Sequence, residues 1–394
     1  MHARSILRPR ALAAAGLPLL LALGPAAASA QGTPASAAYV VRLGSDTIAV
    51  EEFTRTADSI RGRQVVRAPR TQLREYSGAL RPDGTLSSFA VDFRAPGDAQ
   101  PSVRGTVEFG ADSATVRVMR GDSTQTFRVA AAAGAIPLVG YSVALYELPL
   151  MRAAGSRLDS LRLALVPVGN SAAIPATIRR TGSGEYTVAN IAGSNRVRAD
   201  AQGRLLAWDG TGSTLKIVTE RAPRVALDSL AAAFAARDQA GRGFGTASPR
   251  DSLQARVGEA TVSVDYGRPS LRGRPQAQML PPGQVWRTGA NQATHLRTDR
   301  DLVIGGARVP AGAYTLWAIP GEREWTLIVN KQTGQWGTAY DPAQDLVRVP
   351  MRVERASRPV ETFSIAVEPQ GAGSVLALTW GTVRAVVPVA PAGS

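Results

Sequence analysis

The sequence predicts a mainly β protein: an N-terminal antiparallel curved sheet with a helix, then a C-terminal antiparallel β-sandwich or barrel. From residue 38 to about 221, short runs of alternating apolar and polar residues are separated by Gly, Pro, Asp and Ser, the pattern of strands joined by tight turns. Residues 241–250, "GRGFGTASPR", break every periodicity and read as a linker. Beyond it lie five of the six tryptophans, Trp286, Trp317, Trp325, Trp336 and Trp380, enough aromatic surface to require a second core.

The elements follow in chain order. "YVVRLGSDTIAVEEF" gives two strands around residues 44–46. "TQLREYSGALRPDGTLSSFAVDFRA" is a hairpin turning at "RPDG", where Pro82 presets the turn and Gly84 accepts a positive φ. "SVRGTVEFGADSATVRVMRGDSTQTFRVA" turns at "GADS" and "RGDS"; the latter is also an adhesion tetrapeptide, and its plain reading is a hairpin tip. Residues 140–154, "GYSVALYELPLMRAA", set Val143, Tyr146, Leu150 and Met151 near one stripe and predict a helix, with Pro149 expected to kink or end it. Strands resume in "LRLALVPV", "ATIRRTGSGEYTVANIAG", "NRVRADAQGRLLAWDG" and "STLKIVTE". Residues 224–239 are helical by alanine content and by the spacing of Leu227, Leu230 and Phe234. "GRGFG" has half of a phosphate-binding glycine motif, but it follows a helix and precedes none, so the required context is missing.

In the C-terminal part "DLVIGGARVPAG" turns at Gly305 and Gly306, and "AYTLWAIPGEREWTLIVN" turns at "PGERE". Tyr314, Leu316 and Ala318 share one face and Thr315, Trp317 and Ile319 the other; both faces are largely apolar, which puts this hairpin near the middle of its layer. The predicted division is a signal peptide over 1–30, a β-rich domain over 38–222, a helix and flexible linker over 223–247, and a C-terminal β domain over 248–390.

Export is expected. "MHARSILRPR" is a positive leader, "ALAAAGLPLLLALG" a short apolar run, and "AAASA" supplies small residues for cleavage after Ala30, giving a periplasmic or secreted chain by a Sec-type route. No Arg-Arg pair precedes the apolar run and no cysteine follows it, which argues against twin-arginine export and a lipid anchor. An uncleaved anchor is the alternative, but the run is shorter than the roughly twenty residues a bilayer needs. No later segment is predicted to span a membrane. The three arginines of the leader lower the net charge from +14 to +11 when they are removed. The remaining cations are almost all arginine, with Lys216 and Lys331 the only lysines, and they are scattered; nucleic acid is not an expected partner, whereas salt-sensitive adhesion to anionic polymers is compatible with this charge.

The catalytic inventory is thin. There is no cysteine, and His295 is the only histidine after residue 2, so no Ser-His or Cys-His pair is specified and no metal or other cofactor is expected. "GYSVA" lacks the second glycine of a nucleophile elbow, and "SLRG" has arginine where a serine-lysine enzyme needs a titratable amine. Glu322 with Glu324, or Asp341 with Asp345, leave a glycan or ester hydrolase as the alternative, though both pairs sit in predicted turns. Non-catalytic binding of a small molecule or an envelope polymer leads. Its candidate residues are Trp286, Arg287, Asn291 and His295 of "VWRTGANQATHLRT", with Arg268 and Arg274 of "YGRPSLRGR", since arginine forks and an asparagine amide suit an anionic or polyhydroxyl ligand. With 293–298 as a strand, Thr294, Leu296 and Thr298 share the inner face; His295 and Arg297 then face water on the plain reading.

"SPRDS", "VDYGRPSLRGR", "VWRTGAN", "IGGARVPAGAYTLWAIPGEREWTLIVNKQTGQWGT" and "DLVRVPMRVE", in this order, resemble the exported bacterial family known as domain of unknown function 2911, from about residue 248 to 380. The resemblance implies an extracytoplasmic all-β domain and no established reaction. Two positions depart from the family pattern: Gln292 stands where a glutamate is usual after "GAN", and His295 where threonine is usual. Glutamine takes no proton at neutral pH, so acid-base chemistry at 292 is not available here.

Overall fold

A computed structural model describes residues 35–156, 158–371 and 373–393; the expected signal peptide, 1–30, lies outside the described residues. Alternation in the N-terminal part becomes one sheet of fifteen strands. Its first eight strands, from Ala35–Leu43 to Ser123–Ala130, lie side by side in chain order. Ala35–Leu43 also pairs with Val218–Ala222, and from there the sheet runs back strand by strand to Ile136–Leu138 at the far edge. All neighbours are antiparallel except Ile136–Leu138 with Ser160–Pro167. The period of two decides which side chains go in: along Ser113–Arg120, Ala114, Val116 and Val118 are buried, while Arg117 between them is exposed.

Helix α1 (Glu147–Gly155) follows a single 3-10 turn at Ala144–Tyr146 and packs into the core of this sheet. Pro149 does not end it, and the helix runs on to Gly155. The proline is the third helical residue, inside the first turn, where a backbone N–H has no intrahelical acceptor to lose. Two buried carboxylates fasten the helix to the sheet. Glu51 accepts from Tyr76 Oη (2.7 Å), Ser142 Oγ (2.5 Å) and the backbone N–H groups of Val143 (2.9 Å) and Ala144 (3.1 Å), so a strand side chain caps the entry to the helical segment. Glu147 accepts from Tyr39 Oη (2.5 Å), from the Leu205 N–H (3.1 Å) and from the Arg221 guanidinium.

Helix α2 (Leu227–Gln239) buries Leu227, Ala231 and Phe234 against Val50 and Val65. The segment after it is pinned where the sequence suggests a flexible linker. Phe244 is buried in the N-terminal core, with the Arg67 and Arg272 guanidinium carbons 5.6 and 3.9 Å from its ring centre. Burying one aromatic ring, worth roughly 2 kcal/mol, offsets the ordering of a few glycine-rich residues.

The C-terminal part is a nine-stranded sheet in which the hairpin Gly312–Ile319 and Glu324–Asn330 takes the fourth and fifth places, as the apolarity of both its faces implies. Its longest strands, Asp345–Gln370 and Gly373–Pro391, pair antiparallel with register breaks between Arg355 and Val360 and between Val360 and Ser364. A straight strand of 26 residues would run about 85 Å, so the breaks are where the sheet turns to close round one core. The barrel is not closed: Arg250–Val257 and Ala307–Val309 are its two free edges. No helix among the described residues is long and apolar enough to cross a membrane.

Candidate ligand-binding cavity

The two sheets meet at a small polar seam. Gly44 has φ +61°, and a Cβ there would fall 2.0 Å from the Arg272 carbonyl oxygen, so only glycine lets the first hairpin approach this closely. The Ser45 N–H donates to that oxygen (2.9 Å), and Arg272 pairs with Asp46 (2.9 Å). At the other end Thr338 Oγ1 donates to the Ile191 carbonyl (2.9 Å). Between these contacts lies a cavity of about 500 Å³.

Leu43, Ile48, Tyr141 and residues 212–217 form its N-terminal wall, and Met279, Trp286 and Trp380 stand opposite. Trp286 is held on both sides. Its backbone exchanges two 2.8 Å hydrogen bonds with Ala318, and its ring stacks on Trp380 (centroids 5.9 Å, 17°) with Phe363 edge-on at 4.9 Å. Trp317, Trp325 and Trp380 are buried and build core, and Trp286 is partly buried against it.

Three cations line the cavity: Lys216, Arg274 and Arg287. Arg274 donates to the carbonyls of Leu271 (2.8 Å) and Ser270 (2.5 Å), Lys216 to that of Thr211 (2.8 Å), and Arg287 to that of Asn291 (3.3 Å). Among the described residues none of the three is in an ion pair, and no carboxylate lines the cavity. Burial pulls Arg287 down to about 10 and lowers Arg274; Lys216 is lowered by burial first and then by Arg287 and Arg274. The hydrogen bonds of all three go to backbone carbonyls, and Glu361, which does not line the cavity, is near enough to Arg274 to oppose part of its shift.

The backbone is unusual at the same place. Among the described residues five non-glycine residues have positive φ: Tyr141 (65°), Lys216 (54°), Arg272 (50°), Thr288 (46°) and Asn291 (64°). Tyr141, Lys216 and Asn291 line the cavity, Thr288 lies between the lining residues Arg287 and Gly289, and Arg272 is the seam residue. Each left-handed L-residue costs about 1 kcal/mol or more, and such residues gather where surrounding contacts hold a site in place. Thr288 shows how: fully buried, it donates from Oγ1 to the Leu316 carbonyl (2.9 Å), while Thr294 Oγ1 donates to the Thr288 carbonyl (2.8 Å).

Of the six residues singled out from sequence, Arg274, Trp286, Arg287 and Asn291 line this cavity and Arg268 and His295 do not. Arg268 pairs with Asp251 (3.0 Å) and donates to the Phe363 carbonyl (3.1 Å). His295 lies on the strand Thr294–Thr298, opposite the buried Thr294, Leu296 and Thr298; half-buried, its Nε2 accepts from the Gly334 N–H (2.8 Å), and burial followed by Arg250 lowers its pKa. The acidic pairs are turn and strand chemistry: Asp345 accepts from Asn330 and Tyr340, Asp341 caps a short turn at Ala343, and Glu322 and Glu324 are exposed. Sequence reasoning missed Lys216 and the whole N-terminal wall. The one signal available was that Lys216 is one of just two lysines in a chain that otherwise uses arginine.

Cationic cavity and seam belong to a two-sheet β protein, and a family model matches the part that holds its C-terminal sheet. Residues 248–389 match the family described as "Protein of unknown function (DUF2911)". No curated protein matches the chain. Among solved structures, a DUF1089 family protein from Pseudomonas aeruginosa is 13% identical, with 42% of this chain and 90% of that chain covered and a TM-score of 0.30. A β-barrel-like protein of domain of unknown function DUF1849 from Brucella abortus is 12% identical, with 48% and 95% covered and a TM-score of 0.32. Likeness at this level carries no argument about the cavity.

Proposed function

We propose that this chain is an exported, non-catalytic ligand-binding protein of the cell envelope, periplasmic or secreted, and that its ligand sits in the cavity between the two sheets. The observation that carries the reading is the coincidence at one place of three cations with no carboxylate among the lining residues and three of the five left-handed non-glycine residues of the described chain, with Thr288 between two lining residues and Arg272 at the seam. Unpaired cations and left-handed backbone both cost stability, and a ligand that neutralises the charge gives them a use. A hydrolase acting through paired carboxylates draws no support from the positions of Asp341, Asp345, Glu322 and Glu324.

The test is occupancy by an uncharged fluorescent probe, N-phenyl-1-naphthylamine, read by quenching of tryptophan emission. The full chain is expected to bind it, and Ala290→Trp, which fills the cavity wall, is expected to abolish binding with its melting temperature kept within a few degrees. Absence of probe binding, or unchanged binding in a folded Ala290→Trp variant, overturns the reading.

A further inference from the structure

We infer that the ligand is a single-headed anionic amphiphile, carboxylate or phosphate monoester, whose head lies among Lys216, Arg274 and Arg287 and whose apolar chain leaves past Leu215 and Val285. The inference rests on the reading of the cavity as a ligand site and goes further by naming what fills it.

The head follows from charge. Three cations face one space of about 500 Å³ with no carboxylate on its walls, and their residual hydrogen bonds go to neutral carbonyls. Lys216 lies close enough to both arginines to feel their charge. Only an anion turns this repulsion into attraction, and a head with two or three acceptor oxygens matches forked guanidinium donors and an ammonium together. A neutral sugar would leave the repulsion in place. A cationic ligand would add to it.

The apolar chain follows from the rim. Large apolar side chains are rarely exposed in clusters on a water-soluble surface without a role. Among the described residues, six are strongly exposed, and two of them, Leu215 (50%) and Val285 (40%), line this cavity, while a third, Ile191 (58%), precedes the lining residue Ala192 and accepts the seam hydrogen bond from Thr338. Leu215 adjoins Lys216 from the N-terminal sheet, and Val285 adjoins Trp286 and Arg287 from the C-terminal part. Cationic groups that are half-buried and apolar groups that are exposed, alternating along the same two short segments, give a charged interior with a greasy mouth. The volume is within the roughly 300–1,000 Å³ of small-molecule sites, which fits one amphiphile better than an envelope polymer.

The experiment is displacement of N-phenyl-1-naphthylamine from the full chain by twelve-carbon amphiphiles below their micellar concentrations: laurate, dodecyl phosphate, dodecyl maltoside and dodecyltrimethylammonium, with inorganic phosphate alongside. Laurate and dodecyl phosphate are expected to displace the probe at concentrations at least tenfold below dodecyl maltoside, and dodecyltrimethylammonium to be weaker still. Lys216→Met and Arg287→Met are each expected to weaken the two anions about tenfold or more while leaving affinity for the uncharged probe within twofold, which also shows that the variants are folded. Equal displacement by the maltoside, or anion affinity unchanged in both variants, overturns the anionic head. Displacement by inorganic phosphate at the concentration that suffices for dodecyl phosphate overturns the apolar chain. Failure of the probe to bind at all strikes the cavity reading itself and is a different result from any of these.

Discussion

Glu51 is a carboxylate with no solvent contact, and its four donors show why it survives there. Burial pushes its pKa up, and the hydrogen bonds from Ser142, Tyr76, Ala144 and Val143 act against that shift. Because the folded-state pKa is raised, Glu51 favours folding most below its unfolded value and loses that contribution as pH rises through the folded value. Glu51→Gln keeps an acceptor for the two backbone donors, and the hydroxyls of Tyr76 and Ser142 can rotate to accept; its stability is expected within about 1 kcal/mol of the parent by urea unfolding. Glu51→Leu strands two backbone N–H groups and two hydroxyls and is expected to cost about 3 kcal/mol or more. At the cavity, Asn291 has φ 64° and its side chain makes no hydrogen bond within the described protein. Asn291→Gly is therefore expected to leave the melting temperature within about 3 °C, while anion affinity, measured by calorimetric titration, falls severalfold. A drop in stability with affinity intact would make Asn291 a packing residue. Asn291 stands out in the sequence as a candidate ligand residue, but the role of Glu51 could not be read there, because a glutamate in an alternating strand looks solvent-facing until the helix it caps is in place.

At the scale of elements, local chemistry was a good guide wherever one segment decides its own form. The hairpin turning at "RPDG" and the Gly305-Gly306 turn need nothing beyond their own residues, and both stand where the alternation puts them. Pro149 was misleading for a local reason: its effect depends on whether it falls in the first turn or the interior, a matter of where the helix starts. Within the segment 241–250 the place of Phe244 is set at a distance, since the core that takes it is assembled from strands far back in the chain. Two tryptic sites there are distinguishable. Arg242 is exposed beside glycines, whereas Arg250 begins the strand Arg250–Val257 and pairs with Asp265. Limited trypsin digestion is expected to cut first after Arg242, giving a fragment that begins at Gly243 by N-terminal sequencing, and Phe244→Ala is expected to speed that cut several-fold. First cleavage after Arg250 would mean that the strand edge, not the linker, is the weak point.

For the whole molecule, the two cores share no buried cluster, and the seam between them consists of a few polar contacts around Arg272 and Thr338. Calorimetry is expected to resolve two unfolding transitions, and Arg272→Ala to move them further apart by removing the pair with Asp46 and the contact with Phe244. A single transition that persists in Arg272→Ala would show one cooperative unit. Export is expected to leave a mature chain starting at Gln31 by mass spectrometry, and an intact Met1 in the envelope fraction would restore the anchored alternative. By itself the sequence determined the mainly β class, the family likeness of the C-terminal part and the polar stretch carrying Arg287 and Asn291. These follow from periodicity, turn residues and short motifs, each of which acts over a few neighbouring positions. Only the tertiary structure decided that Lys216 joins Arg274 and Arg287 while Arg268 and His295 go elsewhere. That choice depends on how one sheet docks on the other, and residues brought together across seventy positions of chain leave no pattern along it.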